Sequence, residues 1–344
     1  MRCAWYEGDM DASNINQTID QKYSEKWSGI LARQLQQEHS VLSPWVTHMP
    51  GCVGNAVNID YRSGSKIKRI RSAFQDVENP TRDTFGTRQM KPVALYTAHE
   101  FTCDAKLYST QVQEQVPGII TEIKAESQRT KDANILGIGL DSQGIWRKLT
   151  VSTAADSPYD EEIAGGMLGT NYLGKHGTVL KDLPDSQIIP PDFVESGSKV
   201  ACNMTLGKIR EGLKRLKASH AYIPGVTTPV MAMSSSQIMA LMQYFEVSDP
   251  MWKVLDMQSG KLSSILGVQL VELEMLPYMA GTTDVRCCPM WIKEHVYFGA
   301  WKDVSVRVEG PAEKRVNYGQ VVAQMSFGAT RKYESSVIEI QCAE

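Results

Sequence analysis

The sequence predicts an α+β fold, and two observations lead to that prediction. A long helical pattern runs from Val116 to Leu140, with apolar residues at its two ends and polar residues from Lys124 to Asp132. Such a helix is expected to be anchored at both ends and half exposed between them. The remaining candidate strands and helices show no regular strand–helix–strand alternation, which disfavours a doubly wound parallel sheet.

The bounds of the long helix follow from its end signals. Pro117 suits a first helical turn, where the missing N–H would have no partner anyway. Gly137 and Gly139 offer helix-stop geometry. A helix of about 24 residues spans about 36 Å. Two shorter helices, broken in the polar middle, remain the alternative.

Composition describes an ordinary soluble protein. A chain of 344 residues can bury a sizeable core in two or three lobes, and 22% charged with 42% hydrophobic residues is typical of such chains. The formal net charge of −3 gives no global reason to expect nucleic-acid binding. No apolar run approaches the length of a membrane span, and the acidic N-terminus predicts no signal peptide. A cytosolic or intracellular origin is expected.

Cysteine usage points to the same compartment. The chain has 7 cysteines, an odd number, and no Cys-x-x-Cys pair. Free thiols in a reducing compartment are therefore expected. The residues are Cys3, Cys52, Cys103, Cys202, Cys287, Cys288 and Cys342.

Two regions lack an apolar pattern of their own. The first, residues 1–58, contains one helical candidate, Tyr23 to Leu35, and resembles an arm that packs on something else. The second, Ile59 to Pro92, is rich in Arg and Lys, and alternation from Lys66 to Ile70 suggests a hairpin strand. A loop of this length without a core usually has a function.

Three interpretations of the basic region remain open. It is a solvated hairpin face, a contact with acidic surfaces of neighbouring subunits, or a nucleic-acid site. The last is disfavoured because no aromatic residues interleave for base stacking. The candidate inter-subunit contact residues are Arg62, Lys66, Lys68, Arg69, Arg71, Arg82 and Arg88.

The rest of the chain gives shorter patterns. A strand is expected at 92–103, loop-rich chain at 144–191, and an amphipathic helix at 205–218 with Leu206, Ile209, Leu213 and Leu216 on one face. A buried strand follows at 228–233 and a Ser-capped helix at 235–245. A strand pair is expected at 265–276 and an alternating strand at 295–308. The tail predicts two strands joined around Arg331 to Glu334.

No pattern indicates catalysis, a cofactor or a metal. Gly169 to His176 nearly spells a phosphate-binding loop, but His176 stands where a hydroxyl belongs, so a surface loop is expected. The 6 histidines never occur at metal-ligand spacing. His99 and His295 are interpreted as hydrogen-bonded packing residues, and Met231, Met233, Met239 and Met242 as core filling. The chain is predicted not to be an enzyme.

Several short segments together resemble a known arrangement. Taken in chain order, the arm, extended loop, strand, long helix, second helix, compact lobe and closing hairpin are similar to the Hong Kong 97-like major capsid protein of tailed bacteriophages, and more narrowly to the family of podovirus-like heads. The resemblance covers roughly residues 17–342. Its local matches are Lys22–Ser24, Leu35–Gln37, Ser40–Leu42, Asn79–Arg82 with Arg88, Gln128–Leu136, Leu183–Ile188, Met233–Gln237 with Leu241–Met242, and, most strongly, Phe327–Arg331 with Val337–Ile340.

The resemblance implies five segments. They are an N-terminal arm at 1–58, an extended loop at 59–92, a peripheral domain at 93–220 with a spine helix near 116–140, an axial domain at 221–317, and a closing hairpin at 318–344 that returns to the peripheral domain. The covalent cross-link of the type member needs a placed Lys, Asn and Glu, and the resemblance does not extend to a residue-by-residue match for that set, so the cross-link chemistry is not carried over.

The function implied is structural and non-catalytic. The subunit would assemble with itself, as pentamers and hexamers, into an icosahedral shell that encloses double-stranded DNA without sequence-specific binding. Portal, scaffold and decoration proteins are the other implied partners, with no membrane involved. The implied location is the virion, after assembly in the host cytoplasm. Two alternatives remain, an encapsulin-type compartment that encloses cargo protein and an oligomeric α+β enzyme.

Overall fold

The structure is a computed structural model that describes residues 39–62, 85–102, 112–141, 143–150, 165–195, 199–248, 264–309 and 318–344. In this part of the chain three α-helices accompany sixteen strands, which confirms the α+β prediction. The helices are α1 (Val112–Leu136), α2 (Leu206–Ala218) and α3 (Ser235–Ser248). The predicted helix at Tyr23–Leu35 and the predicted strand at Lys66–Ile70 lie outside the described residues.

The largest sheet has six strands in the order β11-β12-β10-β13-β16-β9. Strands β10 and β12 are parallel, as are β16 and β9, and the other pairs are antiparallel. The central strands read as continuous apolar runs because α2 contacts β16 and α3 contacts β10. The strand bounds are β9 Ile188–Ile189, β10 Pro229–Met233, β11 Ser264–Ile265, β12 Val268–Glu272, β13 Val285–Ile292 and β16 Val337–Ala343.

The remaining strands form two four-stranded sheets and one pair. The orders are β1-β14-β15-β4 and β2-β3-β7-β8, and β5 pairs with β6. The bounds are β1 Thr47–Met49, β2 Val57–Arg62, β3 Phe85–Met90, β4 Val93–Thr102, β5 Ile138–Leu140, β6 Trp146–Lys148, β7 Asn171–Leu173, β8 Val179–Lys181, β14 Val296–Glu309 and β15 Tyr318–Arg331.

Most of the predicted short elements are confirmed. Strands β4 and β10 and helix α2 lie where the sequence places them, and Ile209, Leu213 and Leu216 are buried on the core side of α2. The hydroxyl of Thr205 accepts a hydrogen bond from the Lys208 amide and caps α2. The cap of α3 is Ser234, whose amide and hydroxyl both donate to the Gln237 side chain.

Helix α1 is a single helix, but its bounds differ from the prediction. It covers Val112–Leu136, and residues 138–140 form β5 instead of its last turn. The helix ends at Gly137 (φ +75°), whose amide donates to the Ala133 carbonyl. A Cβ at Gly137 would lie 2.3 Å from the Gly165 carbonyl oxygen, so the closely apposed chain requires glycine here.

The polar middle of α1 is less exposed than expected. Asp132 is 0% exposed because its carboxylate accepts hydrogen bonds from the Ser40 hydroxyl and from the amides of Val41 and Leu42. The segment that donates these bonds precedes the short 3₁₀ helix Ser43–Trp45.

The prediction for the last part of the N-terminal arm needs correction. Leu42 is 0% and Val46 3% exposed, the Trp291 indole donates to the Trp45 carbonyl, and β1 pairs with β14. Residues 40–49 are therefore packed and hydrogen-bonded within the subunit, because they carry apolar side chains that the core buries.

The prediction that the two tail strands form a closing hairpin also needs correction. The two tail strands exist, but β15 lies in the sheet with β14 and β4, whereas β16 lies between β13 and β9 in the six-stranded sheet. The connection at 332–336 thus joins two sheets. Local alternation predicts a strand but not its partner, and an apolar run such as Val337–Ile340 suits a sheet centre better than a two-stranded ribbon.

The chain divides into two compact units. The described part of one comprises residues 96–102, 112–126, 304–309 and 318–324, with a small core of Ile123, Val321 and Ala323 packed by Ile120 and Val306. The other comprises the described residues of 39–95, 127–303 and 325–344, and it contains the six-stranded sheet. That sheet draws strands from three of the five predicted segments.

Candidate functional site

The candidate basic residues belong to a hairpin whose base is well defined. Strands β2 and β3 are antiparallel, in a register from Val57 opposite Met90 to Arg62 opposite Phe85. Arg62 ends β2, and nothing is described of its side chain. Five of the other candidates, Lys66, Lys68, Arg69, Arg71 and Arg82, lie outside the described residues.

Arg88 does not fit the predicted set of inter-subunit contact residues. It is 2% exposed, because its side chain turns toward the subunit's own C-terminal region. Its Nε donates to the Lys332 carbonyl at 3.2 Å, and its Nη2 forms an ion pair with Glu334. Its Nη1 has no hydrogen-bond partner among the described residues. Arg88 is therefore an internal residue of the hairpin base and not part of an exposed basic face.

Glu334 also binds a second guanidinium, that of Arg331, which is 0% exposed. Arg331 Nη1 donates to the carbonyls of Met167 and Gly169 at 3.0 and 2.6 Å, and its Nη2 donates to that of Lys181 at 3.0 Å. Burial lowers the pKa of Arg331, although the Glu334 carboxylate beside it acts in the opposite direction. Arg331 and Glu334 are opposite charges three residues apart at the predicted junction of two strands, which is the sequence signal that could have indicated this pair.

An aromatic row lies beside these charges. The rings of Tyr61 and His295 both meet Tyr333 edge-on, each with a centroid distance of 5.2 Å. Burial, and then the charge of Lys332, lower the pKa of His295, with Glu294 opposing. The Nδ1 of His295 is buried without a hydrogen-bond partner in the described structure, so the prediction of a hydrogen-bonded packing residue is only half met. His99 is exposed on β4, and for it that prediction is wrong.

The loop that resembled a phosphate-binding motif is a hairpin next to this base. Strands β7 and β8 flank a turn that contains Gly174 and Gly177. Lys175 and His176 are exposed, as the surface-loop interpretation expects, whereas Thr170 and Asn171 are each 1% exposed, so the first part of this stretch is not a surface loop. The Gly174 amide donates to the Thr87 carbonyl, and β7 pairs with β3. Asn171 accepts a bond from the Thr330 hydroxyl and donates to the carbonyls of Gly166 and Gly169.

A second buried ion pair lies in the six-stranded sheet. Glu339 is 0% exposed, and both of its oxygens accept from Lys148 Nζ at 2.9 Å. Burial alone would lower the pKa of Lys148, but Glu339 and neighbouring groups more than offset that effect and raise it. Sequence reasoning missed this pair, although a single charge inside the apolar run Val337–Ile340 was a usable signal.

The five described cysteines are all free, as predicted, while Cys3 and Cys103 lie outside the described residues. Burial raises the pKa of Cys287 well above its ordinary value, and Glu339 acts in the same direction. Met231 and Met233 fill the core as expected, but Met239 is 65% exposed.

The described residues contain neither a metal-binding cluster nor a helix fit to cross a membrane. They contain no group of three or more His, Cys, Asp or Glu side chains placed to hold a metal ion. Among the helices of this part of the chain, none combines the length and the apolar character that crossing a membrane requires.

Comparison with solved structures gives the class of protein to which this fold belongs. The capsid asymmetric unit of cyanophage Pam1 is 12% identical with a TM-score of 0.63, over 93% of this chain and 96% of that chain. The capsid of Ralstonia phage GP4 is 12% identical with a TM-score of 0.62, over 100% and 98%. Gordonia phage Cozz gives 13% identity and a TM-score of 0.59, over 100% and 97%. The fold is therefore the Hong Kong 97-like capsid fold.

The sequence itself places the chain in a family. Residues 149–344 match the family described as phage capsid protein. This match covers more than half of the chain, so the chain belongs to the phage capsid protein family. It is a structural protein, the major capsid protein of a phage shell. No curated protein matches it. Neither the cargo compartment nor the enzyme alternative is favoured by these similarities.

Proposed function

We propose that this subunit assembles with itself, as pentamers and hexamers, into a closed icosahedral shell around double-stranded DNA, and that it catalyses no reaction. The observation that carries the proposal is the family match over residues 149–344, joined to a fold that aligns with a phage capsid over 100% of the chain. Assembly takes place in the host cytoplasm, and portal, scaffold and decoration proteins are further partners. The DNA is enclosed without sequence readout, in keeping with a net charge of −3.

The proposal also assigns roles along the chain. The arm is limited to the residues before about 39, because residues 40–49 pack in the subunit. Residues 59–92 are the extended loop, and its contact set is Arg62, Lys66, Lys68, Arg69, Arg71 and Arg82, without Arg88. The peripheral and axial assignments of 93–220 and 221–317 are retained as proposals.

Electron microscopy of the purified protein tests the assembly proposal directly. We expect closed shells, formed by the chain alone or with a co-expressed scaffold protein. The proposal is wrong if the protein stays a small closed oligomer under both conditions.

A charge-reversal experiment tests the role of the basic loop. Arg69→Glu with Arg71→Glu should leave the melting temperature of the free subunit within a degree or two, because surface ion pairs contribute only about 0.2–1 kcal/mol. Summed over the contacts of a shell, a loss of about 1.4 kcal/mol per subunit raises the concentration needed for assembly about tenfold. Light scattering across a salt series measures this, and wild-type assembly should weaken as salt screens the attraction.

The matched control makes the same change of charge elsewhere. Lys214→Glu with Lys217→Glu reverses two exposed lysines on α2. If both double variants assemble equally well, the loop is a solvated face and the contact proposal fails. If the loop variant does not fold, the loop is part of the core.

A further inference from the structure

One turn of the chain contacts both strands of the hairpin base. Residues 332–336 join β15 to β16, and together with Arg331, the last residue of β15, they are here called the connecting turn. Strand β2 meets the turn through the Tyr61 ring on Tyr333, and β3 meets it through the Arg88 guanidinium on Glu334 and on the Lys332 carbonyl. The two attachments come from opposite strands, so together they resist rotation of the hairpin as well as its separation from the turn.

The charge arrangement makes this attachment directional. Glu334 accepts from Arg88 with one oxygen and from Arg331 with the other. Arg331 in turn is held by three carbonyls of the 167–181 segment. Guanidinium–carboxylate pairs fix geometry as well as contributing energy. Such buried pairs add little net stability compared with apolar packing. Their presence in this place is therefore better explained by orientation than by stability.

The aromatic attachment is directional for a steric reason. Tyr61 lies opposite Gly86 in the β2–β3 ladder, and its ring crosses the space that a Cβ at Gly86 would occupy, with 2.2 Å to the ring carbon Cζ. Glycine at this position lets the ring lie flat across the neighbouring strand and reach Tyr333. Strand β3 is also held on its other side, where it pairs with β7 at Arg88 and Gln89 and where the Thr87 carbonyl accepts from the Gly174 amide. These bonds reach β3 alone, because β2 has only β3 as a neighbour among the described strands of this sheet.

We propose that the connecting turn is the positioning contact that sets the direction in which the β2–β3 hairpin leaves the subunit, and that Arg88 and Tyr61 are the positioning residues for assembly. This inference rests on the proposed function of the extended loop as an inter-subunit contact. The connecting turn fixes the orientation of the hairpin relative to the subunit, and the loop residues make the contact with the neighbouring subunit.

The first test is Arg88→Met, which detaches β3 while Glu334 keeps its pair with Arg331. Its matched control is Arg147→Met, because Arg147 also binds one carboxylate, Asp141, and two carbonyls, those of Met279 and Thr282. We expect faster amide hydrogen exchange in residues 57–62 and 85–90 for Arg88→Met alone. We also expect the concentration needed for assembly to rise at least tenfold, with little change for the control.

Tyr61→Leu is the second variant, because it removes the aromatic attachment and leaves every charge in place. It should raise exchange in the same two strands and impair assembly in the same direction. Equal exchange and equal assembly for Arg88→Met and Arg147→Met would overturn the inference. So would a loss of cooperative melting in both Arg88→Met and Tyr61→Leu, because the turn would then be required for folding and not for positioning.

A third protein separates this inference from the function on which it rests. Replacing residues 63–84 by Asn-Gly closes β2 and β3 with a two-residue turn. If that protein assembles like wild type, the loop makes no necessary contact and the proposed function of the loop fails. If it does not assemble while Arg88→Met and Tyr61→Leu do, the loop is needed and only the positioning inference fails.

Discussion

His295 carries a proton-linked part of the subunit's stability. Its pKa is lowered in the folded subunit by burial and by Lys332, whereas in the unfolded chain it lies near about 6.5. The unfolded chain therefore binds a proton at a pH where the folded subunit does not. The resulting stability is complete above the unfolded pKa and is lost as pH falls from there toward the folded pKa.

His295→Phe should flatten this dependence, because phenylalanine keeps a ring against Tyr333 and cannot take up a proton. Denaturant melts at pH values from 7 to 5 measure the slope of unfolding free energy for each protein. His176→Asn, a change at an exposed turn, is the control and should keep the wild-type slope. Identical slopes for His295→Phe and wild type would show that this ring does not contribute.

For two single residues, Arg88 and Asp132, the sequence did not predict the contacts that the structure shows. Arg88 belongs to a run of basic residues that looks uniform in the sequence, whereas its strand position turns its side chain toward Glu334. Asp132 looked like one more polar residue in a wet helix face, but it receives three donors from residues 40–42. Both partners are remote in sequence, so no local period could indicate them.

At the scale of elements, the end of α1 gives a clear prediction. Gly137→Ala meets two penalties, a positive φ and a Cβ at 2.3 Å from the Gly165 carbonyl oxygen. Gly174→Ala meets only the first, because nothing lies within 4 Å of its Cβ position at φ +85°. A non-glycine residue in the left-handed region costs about 1–2 kcal/mol. We expect Gly174→Ala to lose about that much unfolding free energy and Gly137→Ala at least twice as much.

Thermal and urea melts of the two glycine variants provide the measurement. Similar losses in both would mean that the chain near Gly165 moves aside freely and that the close approach at the helix end has no energetic role.

Elements with their own period could be predicted, and their pairings could not. Helix α2 and strands β4 and β10 follow from spacing, capping and apolar runs within a dozen residues. The assignment of β15 and β16 to different sheets depends on β13 and β14, which local alternation does not include. For the candidate site the sequence indicated the basic hairpin, but it missed Glu334 and Tyr333, the residues that hold its base.

For the whole molecule, two truncations separate the arm from the core. Removing residues 1–38 should leave a subunit that melts cooperatively and assembles poorly. Removing residues 1–50 should also take away Leu42, Val46 and β1, and it leaves the Asp132 carboxylate without the three donors of residues 40–42. A buried charge that loses its partners costs about 3–5 kcal/mol, a large share of a total stability of about 5–15 kcal/mol.

Circular dichroism melts of the two truncated proteins distinguish these outcomes. The longer truncation is expected to lose its cooperative transition or to melt many degrees lower. Equal melting temperatures would place residues 39–50 in the arm, contrary to the contacts described for them.

The pairing of β1 with β14 also orders events during synthesis. The Thr47 hydroxyl donates to the Lys293 carbonyl across a separation of 246 residues, and Trp291 reaches back over 246 residues to Trp45. At about 5–20 residues per second, a ribosome needs about 12–50 s to cover that distance. Throughout that interval the early segment exists while the residues that it contacts have not yet been translated. The subunit thus cannot form this pairing until most of its chain has been synthesised.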